Sequence, residues 1–529
     1  MRKSTDIFEK ICVKTVLLIG AFIFFVFAFW AAKFTHNYPL DLSEERVVGA
    51  FDSIPANLLC GLAVVLTAWL VQSLVLRGSE EQKRKRVFWF AVADMVIVGV
   101  WLVYWVTTSH IMPDSDQLQV YYDAVAFRSG DYGDMLGYLE MYPQQYGMIF
   151  FYEGLLGIWE NYRLLQYLNI PFILMILFLS YLIADEIFHN PVVDFYCLAG
   201  ISCFAPLGYY VNFVYGDVCS AAMCLAAMWG LLRWIGRGGR RYACLAVLSM
   251  SIGVLVRKNM LIFILAACIA LAVYALRHLK WQALLLALLL AVIPLGSIQA
   301  VEMVYEKRSG IEIGDGIPAI MWVAMGMQQS WGGAGVYNGY NNSVFRGEAG
   351  SDPEAASRIA KEYIRGRVQE FKQDGNMAYE FYRFKLLEQW NEGSFSCLFM
   401  TKHFDAAPGI VVQDAYAGKL QQLFLRYMNR YIFVMYLGVF LFAAGSLFKK
   451  VDIMKCLPMI GVIGGVLFSL LWEAKGRYVL PYVVLLFPYM AGGYYALQMG
   501  VVKLIRFIFR GKAGTGDDLE GQDGGISAA

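Results

Sequence analysis

Apolar stretches of bilayer-spanning length recur along the chain, separated by short polar clusters. Hydrocarbon takes roughly 20 residues to cross. By that measure spans fall at about 15–32, 54–76, 87–108, 164–187, 195–211, 217–234, 241–256, 259–276, 281–301, 430–448, 455–472 and 478–498. The pattern predicts an all-α polytopic membrane protein with about 12 transmembrane helices. The first run follows MRKSTDIFEK, a basic start like that of a signal peptide. It is longer than the usual apolar region of such a peptide, so it reads as an uncleaved anchor.

Charge orients these spans. With the N-terminus inside, the clusters RGSEEQKRKR, RWIGRGGRR, RHLK, KKVDIMK and KLIRFIFRGK all fall on the cytoplasmic side. That is the positive-inside bias, and it puts both termini in the cytoplasm. Residues 146–159, YGMIFFYEGLLGIW, are short for a span and carry Glu153. They read as an interfacial or re-entrant helix, which leaves 109–163 as one external loop. The chain thus divides into an N-terminal transmembrane hairpin (1–86), a membrane core (87–301), an external cap region (302–429), C-terminal transmembrane helices (430–498) and a tail (499–529). The Gly- and Asp-rich end of that tail reads as disordered and cytoplasmic.

Composition sharpens the class. Of 529 residues, 59% are hydrophobic and 16% charged, against about 25% charged in soluble domains. A net charge of +2 argues against a nucleic-acid role. Ten scattered Cys and five isolated His offer neither a disulfide framework nor a zinc site. There is no GxxxxGK[ST], HExxH or GxSxG sequence, so ATP-driven transport and the corresponding hydrolase chemistries are unsupported.

The candidate chemistry gathers on the external side. Loop 109–163 holds eight acidic residues against only Arg128 and Arg163. Asp114 and Asp116 emerge directly from a span, with Asp123 beyond them. Tyr121, Tyr122, Tyr132, Tyr138, Tyr142, Tyr146 and Tyr152 crowd the same loop. Such rings serve either as an interfacial belt or as a surface for stacking on sugars. Asp217, Arg257 and the pair Glu473 and Arg477 sit in short outer turns, with Tyr478 next to the last of them. Ionisable groups at membrane depth are costly, so they signal ion pairs or a ligand. The Arg fork suits phosphate oxygens better than the point charge of Lys258 or Lys475. In the cap region, Trp331, Tyr337, Asn338 and Tyr340 suit carbohydrate contacts, and a helix is expected from about 352 to 392.

The segment SDQLQVYYDAVAFRSGDY resembles the first-loop motif of the GT-C superfamily of membrane glycosyltransferases, particularly family 39-type enzymes. Asp116 takes the first acidic position, Ala124 the alanine eight residues on, and Gly130-Asp131-Tyr132 the motif's end. YPQQYGMIFF is similar to the following Pro-containing helix, VYGD ending in Asp217 to the second-loop acid, and Arg477, Tyr478 and Pro481 to a late Arg-Tyr-x-x-Pro segment. Gln117 stands where the second acid is usual, so the choice between Asp114 and Asp116 as base stays open.

The resemblance implies an inverting glycosyltransferase at the extracytoplasmic face of the cell (plasma) membrane. It would move a sugar from a polyprenyl-phosphate-linked donor to a glycan, lipid or protein acceptor of the cell envelope. Asp116 or Asp114 would be catalytic, Arg257 and Arg477 would bind the donor phosphate, and Asp217, Tyr121, Tyr142, Glu473 and Tyr478 would bind substrate. No cofactor is required by the sequence, and a divalent cation is compatible with it. The rivals are a transporter or flippase of lipid-linked saccharides and a non-catalytic accessory subunit.

Overall fold

A computed structural model describes residues 2–42 and 45–512; the expected disordered stretch from 513 lies outside the described residues. The described residues are mostly helical, with two small antiparallel hairpins, Phe34–Asn37 with Val48–Phe51 and Gln329–Ser330 with Gly333–Ala334. Among the described residues, ten helices are long and apolar enough to cross a membrane. This is an all-α polytopic membrane protein.

Two of the expected spans take another form. Residues 195–211 split into Pro191–Ser202 and Ala205–Tyr210. Pro206 lacks an N–H and disfavours helix in the residue before it, so the chain breaks there. Tyr427 and Tyr431 donate their hydroxyls to the freed carbonyls of Cys203 and Gly200. Residues 241–256 form the 17-residue helix Arg240–Val256. The last span is also irregular at its start, running through the short turns Gly476–Val479, Leu480–Val483 and Val484–Leu486 before Phe487–Lys512. Pro481 and Pro488 account for that entry.

The helix Arg2–Lys33 packs along Lys419–Ser446. Lys14 donates to the carbonyls of Ser446 and Lys449 at the C-terminal end of that neighbour, at 3.3 and 2.7 Å, where a cation is favoured. By contrast, Ile54–Leu74 turns most of its surface outward.

The region between the ninth expected span and residue 430 is keyed deeply into the molecule. Residues 387–399, LEQWNEGSFSCLF, are buried throughout. Trp390 stacks on Phe27 at 5.5 Å, and its indole N–H donates to Ser469 Oγ at 3.1 Å. Glu392 is caged by the amides of Ser394 and Ser396 and the Ser394 hydroxyl. Burial pushes its carboxyl up to about 7, against those hydrogen bonds.

Close packing sets the C-terminal pair. A Cβ on Gly493 would lie 1.8 Å from the Gly438 carbonyl oxygen, so Lys419–Ser446 and Phe487–Lys512 touch backbone to backbone. Gly493→Leu is expected to destabilise the fold by about 3 kcal/mol through overpacking. Thermal unfolding of the solubilised protein checks this, and an unshifted midpoint would refute the crossing.

Candidate functional site

The helix Asp116–Ser129 begins after Ser115, whose backbone is at φ 51°, ψ −129°. Asp116 therefore sits in the first turn, where the helix dipole favours a carboxylate. The next residue fixes the start. Gln117 Nε2 donates to Met400 O at 3.2 Å, while its Oε1 accepts from Val214 N at 3.1 Å. This position needs a donor and an acceptor in one side chain. An ionised acid there would lack the donor, which is the physical reason for an amide.

Asp116 points into a cavity of about 1190 Å³. Its two oxygens accept hydroxyls from Tyr138 and Tyr215, each at 3.3 Å. Asp114 lines the same cavity from the rim, its Oδ2 lying 3.2 Å from His403 Nε2, and both side chains are nearly half exposed. The two acids are thus held in different surroundings.

Tyr215 belongs to the turn VYGD. Gly216 adopts φ 80°, and a Cβ there would meet Val256 Cγ1 at 2.3 Å. That tight turn opens the helix Asp217–Arg237 and brings Asp217, almost wholly buried, beneath the cavity. Arg257 Nη2 donates to both Asp217 oxygens at 2.9 Å. Arg477 Nη1 lies 3.8 Å from Asp217 Oδ2, near enough for attraction and too far for a hydrogen bond. Its Nε and Nη1 are buried without a hydrogen-bond partner. Both guanidinium groups lie over the Tyr215 ring, at 4.4 and 4.8 Å from its centroid.

Glu473 and Tyr478 close the same wall, the phenol donating to the carboxylate at 3.1 Å. Burial raises the Glu473 carboxyl, with Lys475 opposing. Tyr142 lines the cavity and donates its hydroxyl to Asn342. Tyr121 does not join these groups. Five residues beyond Asp116, it falls on another face of the helix and meets Tyr122 and Tyr162 instead.

Sequence reasoning passed over several lining residues. Tyr138 was one of many similar tyrosines, and Tyr215 was visible only as a neighbour of Asp217. Glu45, Trp322 and Lys402 come from segments distant in sequence, and no local pattern marks them, while Trp472 was visible only as the neighbour of Glu473. Asp123 faces the opposite way into a buried cluster, where Gln119 Nε2 donates to Asp123 at 3.0 Å and to Asp134 at 3.2 Å. Among the described residues, no three His, Cys, Asp or Glu side chains converge as a metal-binding group.

No protein-family model matches the chain, and no curated protein matches it significantly.

Two outcomes test the site's framework. Burial, then the Asp134 charge, pushes the Asp123 carboxyl up to about 8; in an unfolded chain it would titrate near 4. The stability linked to this proton is complete below about pH 4 and is lost as pH rises through about 8. Melting temperatures from pH 5 to 9 should therefore fall more steeply for the wild type than for Asp123→Asn; parallel curves would deny the buried acid. Gln117→Glu should cost about 1–3 kcal/mol by stranding the Met400 carbonyl. A lowered thermal midpoint would bear this out, and full stability would count against the pin.

Proposed function

We propose that the protein is an inverting glycosyltransferase using a polyprenyl-phosphate-linked sugar. The observation that carries this reading is the juxtaposition in one cavity of a tyrosine-held carboxylate with two buried guanidinium groups, one of them short of hydrogen-bond acceptors. Buried donors without acceptors are costly, and phosphate oxygens would satisfy them bidentately. The family resemblance of the sequence around Asp116, Asp217 and Arg477 supports the same reading.

Asp116 acts as the base. The acceptor hydroxyl oxygen attacks the anomeric carbon while its proton passes to Asp116. The bond from that carbon to the phosphate oxygen breaks, and the electron pair leaves with the lipid phosphate. Arg477 and Arg257 hold the charge that grows on the leaving oxygen. A single displacement inverts the anomeric centre. Asp217 holds Arg257 in register, and Glu473, Tyr478 and Tyr142 shape the rest of the pocket. Apolar residues Leu261, Ile262 and Phe468 line the cavity beside the cations, a suitable surface for the first isoprene units. The orientation expected from the charge bias, with cytoplasmic termini, would turn this cavity to the extracytoplasmic face of the plasma membrane, where a cell-envelope acceptor is met.

Transport of lipid-linked saccharides is the competing reading, and the accessory reading loses its one hint because Gln117 has a structural task. Purified protein supplied with radiolabelled polyprenyl-phosphate sugars and an acceptor panel should release polyprenyl phosphate. Asp116→Asn should slow release by roughly 10²–10⁴-fold, the usual contribution of a positioned base. Arg477→Ala should lower turnover as well. Undiminished transfer by folded Asp116→Asn would sink the proposal, and donor binding without turnover in every form would favour transport.

A further inference from the structure

The polar end of the cavity carries a feature that donor binding does not use. Trp331 lines the cavity and is 53% exposed. The cavity's other tryptophans are already engaged, Trp322 stacked on Trp472 at 5.8 Å and 11°. Among the described residues, no ring stacks on Trp331 and no group accepts its indole N–H.

The backbone beneath this indole is fixed. Trp331 is at the tip of the hairpin Gln329–Ser330 with Gly333–Ala334. Ser330 Oγ accepts from Gly332 N at 3.2 Å and donates to Gly333 O at 3.0 Å. From one side Val47 N reaches Gly332 O at 3.4 Å. On the other side Ala334 N donates to the buried Glu388 at 3.1 Å, and Ala474 N donates to Gly335 O at 2.8 Å. A large apolar ring thus stands half bare in the cavity on a backbone that is hydrogen-bonded on both sides.

Its surroundings are polar. Glu45 and Lys475, ion-paired at 3.0 Å, line the cavity with it, as does Tyr337, itself 37% exposed. A ring face beside charged and hydroxyl groups fits a pyranose, which presents a C–H face and a rim of hydroxyls. A lipid tail would leave Glu45 and Lys475 unsolvated without compensation.

We propose that Trp331 is the stacking platform of a saccharide site, with Glu45, Lys475 and Tyr337 around the sugar's hydroxyl rim, so that the acceptor is itself a carbohydrate. The word acceptor rests on the transferase reading; the saccharide site does not.

The test uses the full chain in lipid nanodiscs, free of sugar-based detergent. Saturation-transfer NMR is recorded with maltose, cellobiose, mannobiose and chitobiose as probes. At least one should receive saturation, strongest at its ring C–H protons. Trp331→Ala should weaken that probe's affinity about tenfold, the scale of losing a buried aromatic contact. Trp331→Tyr should keep it within about threefold, and Trp281→Ala, a ring outside the cavity, should leave it unchanged. No saturation of any probe by the wild type overturns the inference, as does equal binding by Trp331→Ala and wild type. If Trp331→Ala does not fold, a tenfold loss in folded Trp331→Tyr also overturns it, because a phenol can stack equally. Trp331-dependent binding without donor turnover would leave the saccharide site standing and the transferase reading fallen. Donor turnover with Trp331-independent sugar binding would do the reverse.

Discussion

The ion cluster of Asp217, Arg257 and Arg477 is the constraint around which the site is built. Its members come from the start of one helix, the end of a second and the broken entry to the last. Burying a carboxylate and two guanidinium groups is costly unless their hydrogen bonds are met. Arg257 meets its share through Asp217, whereas Arg477 has two nitrogens with none. Asp116 and Glu473 also attract Arg477, yet they leave those two nitrogens without an acceptor. The cheapest remedy is an anion supplied from the cavity, so the cluster is both a weld between helices and an incomplete coordination shell.

Everything that lines the cavity must then be held against this cluster. Gln117 bridges the helix that carries Asp116 to the Val214 turn and to the carbonyl of Met400. Met400 follows the buried run 387–399, which is anchored through Trp390 among three membrane helices. The cap region therefore holds the cavity from inside the helical bundle. The same run reaches the first hairpin, where His36 N donates to Asn391 O at 3.0 Å. That hairpin's connection brings Glu45 to the rim, so segments more than four hundred residues apart meet at the Glu45–Lys475 pair.

Much of this was legible before any coordinates. Spans declare themselves because each must be apolar along its whole length, and the acids and arginines stand out against that background. Asp116, Asp217, Arg257, Glu473, Arg477, Tyr142 and Tyr478 all line or underlie one cavity. What stayed hidden depended on partners. Tyr121 and Tyr138 look alike in sequence, and only helix phase and the following turns send one away from Asp116 and the other toward it. QWNEGSF falls in the expected external cap region, yet it is buried because its polar atoms satisfy each other and the backbone around them. The break at Pro206 left a hydrophobicity signal indistinguishable from that of a continuous span.

Tyr215 ties the two chemistries of the site together. Its ring lies against both guanidinium groups, and its hydroxyl donates to the carboxylate of Asp116. A cation over an aromatic face draws electron density from the ring, which makes the phenol a better donor to the carboxylate. With the cations bare, that hydrogen bond is strengthened. An anion seated on Arg257 and Arg477 would cancel part of the pull, and the phenol's grip on the carboxylate would slacken. In the transferase reading, a donor phosphate on the cations would thus be felt at Asp116 through the Tyr215 hydroxyl. Gln145, donating to the same phenolic oxygen, keeps the hydroxyl's hydrogen directed at Asp116, and the coupling therefore has a fixed geometry through which to act.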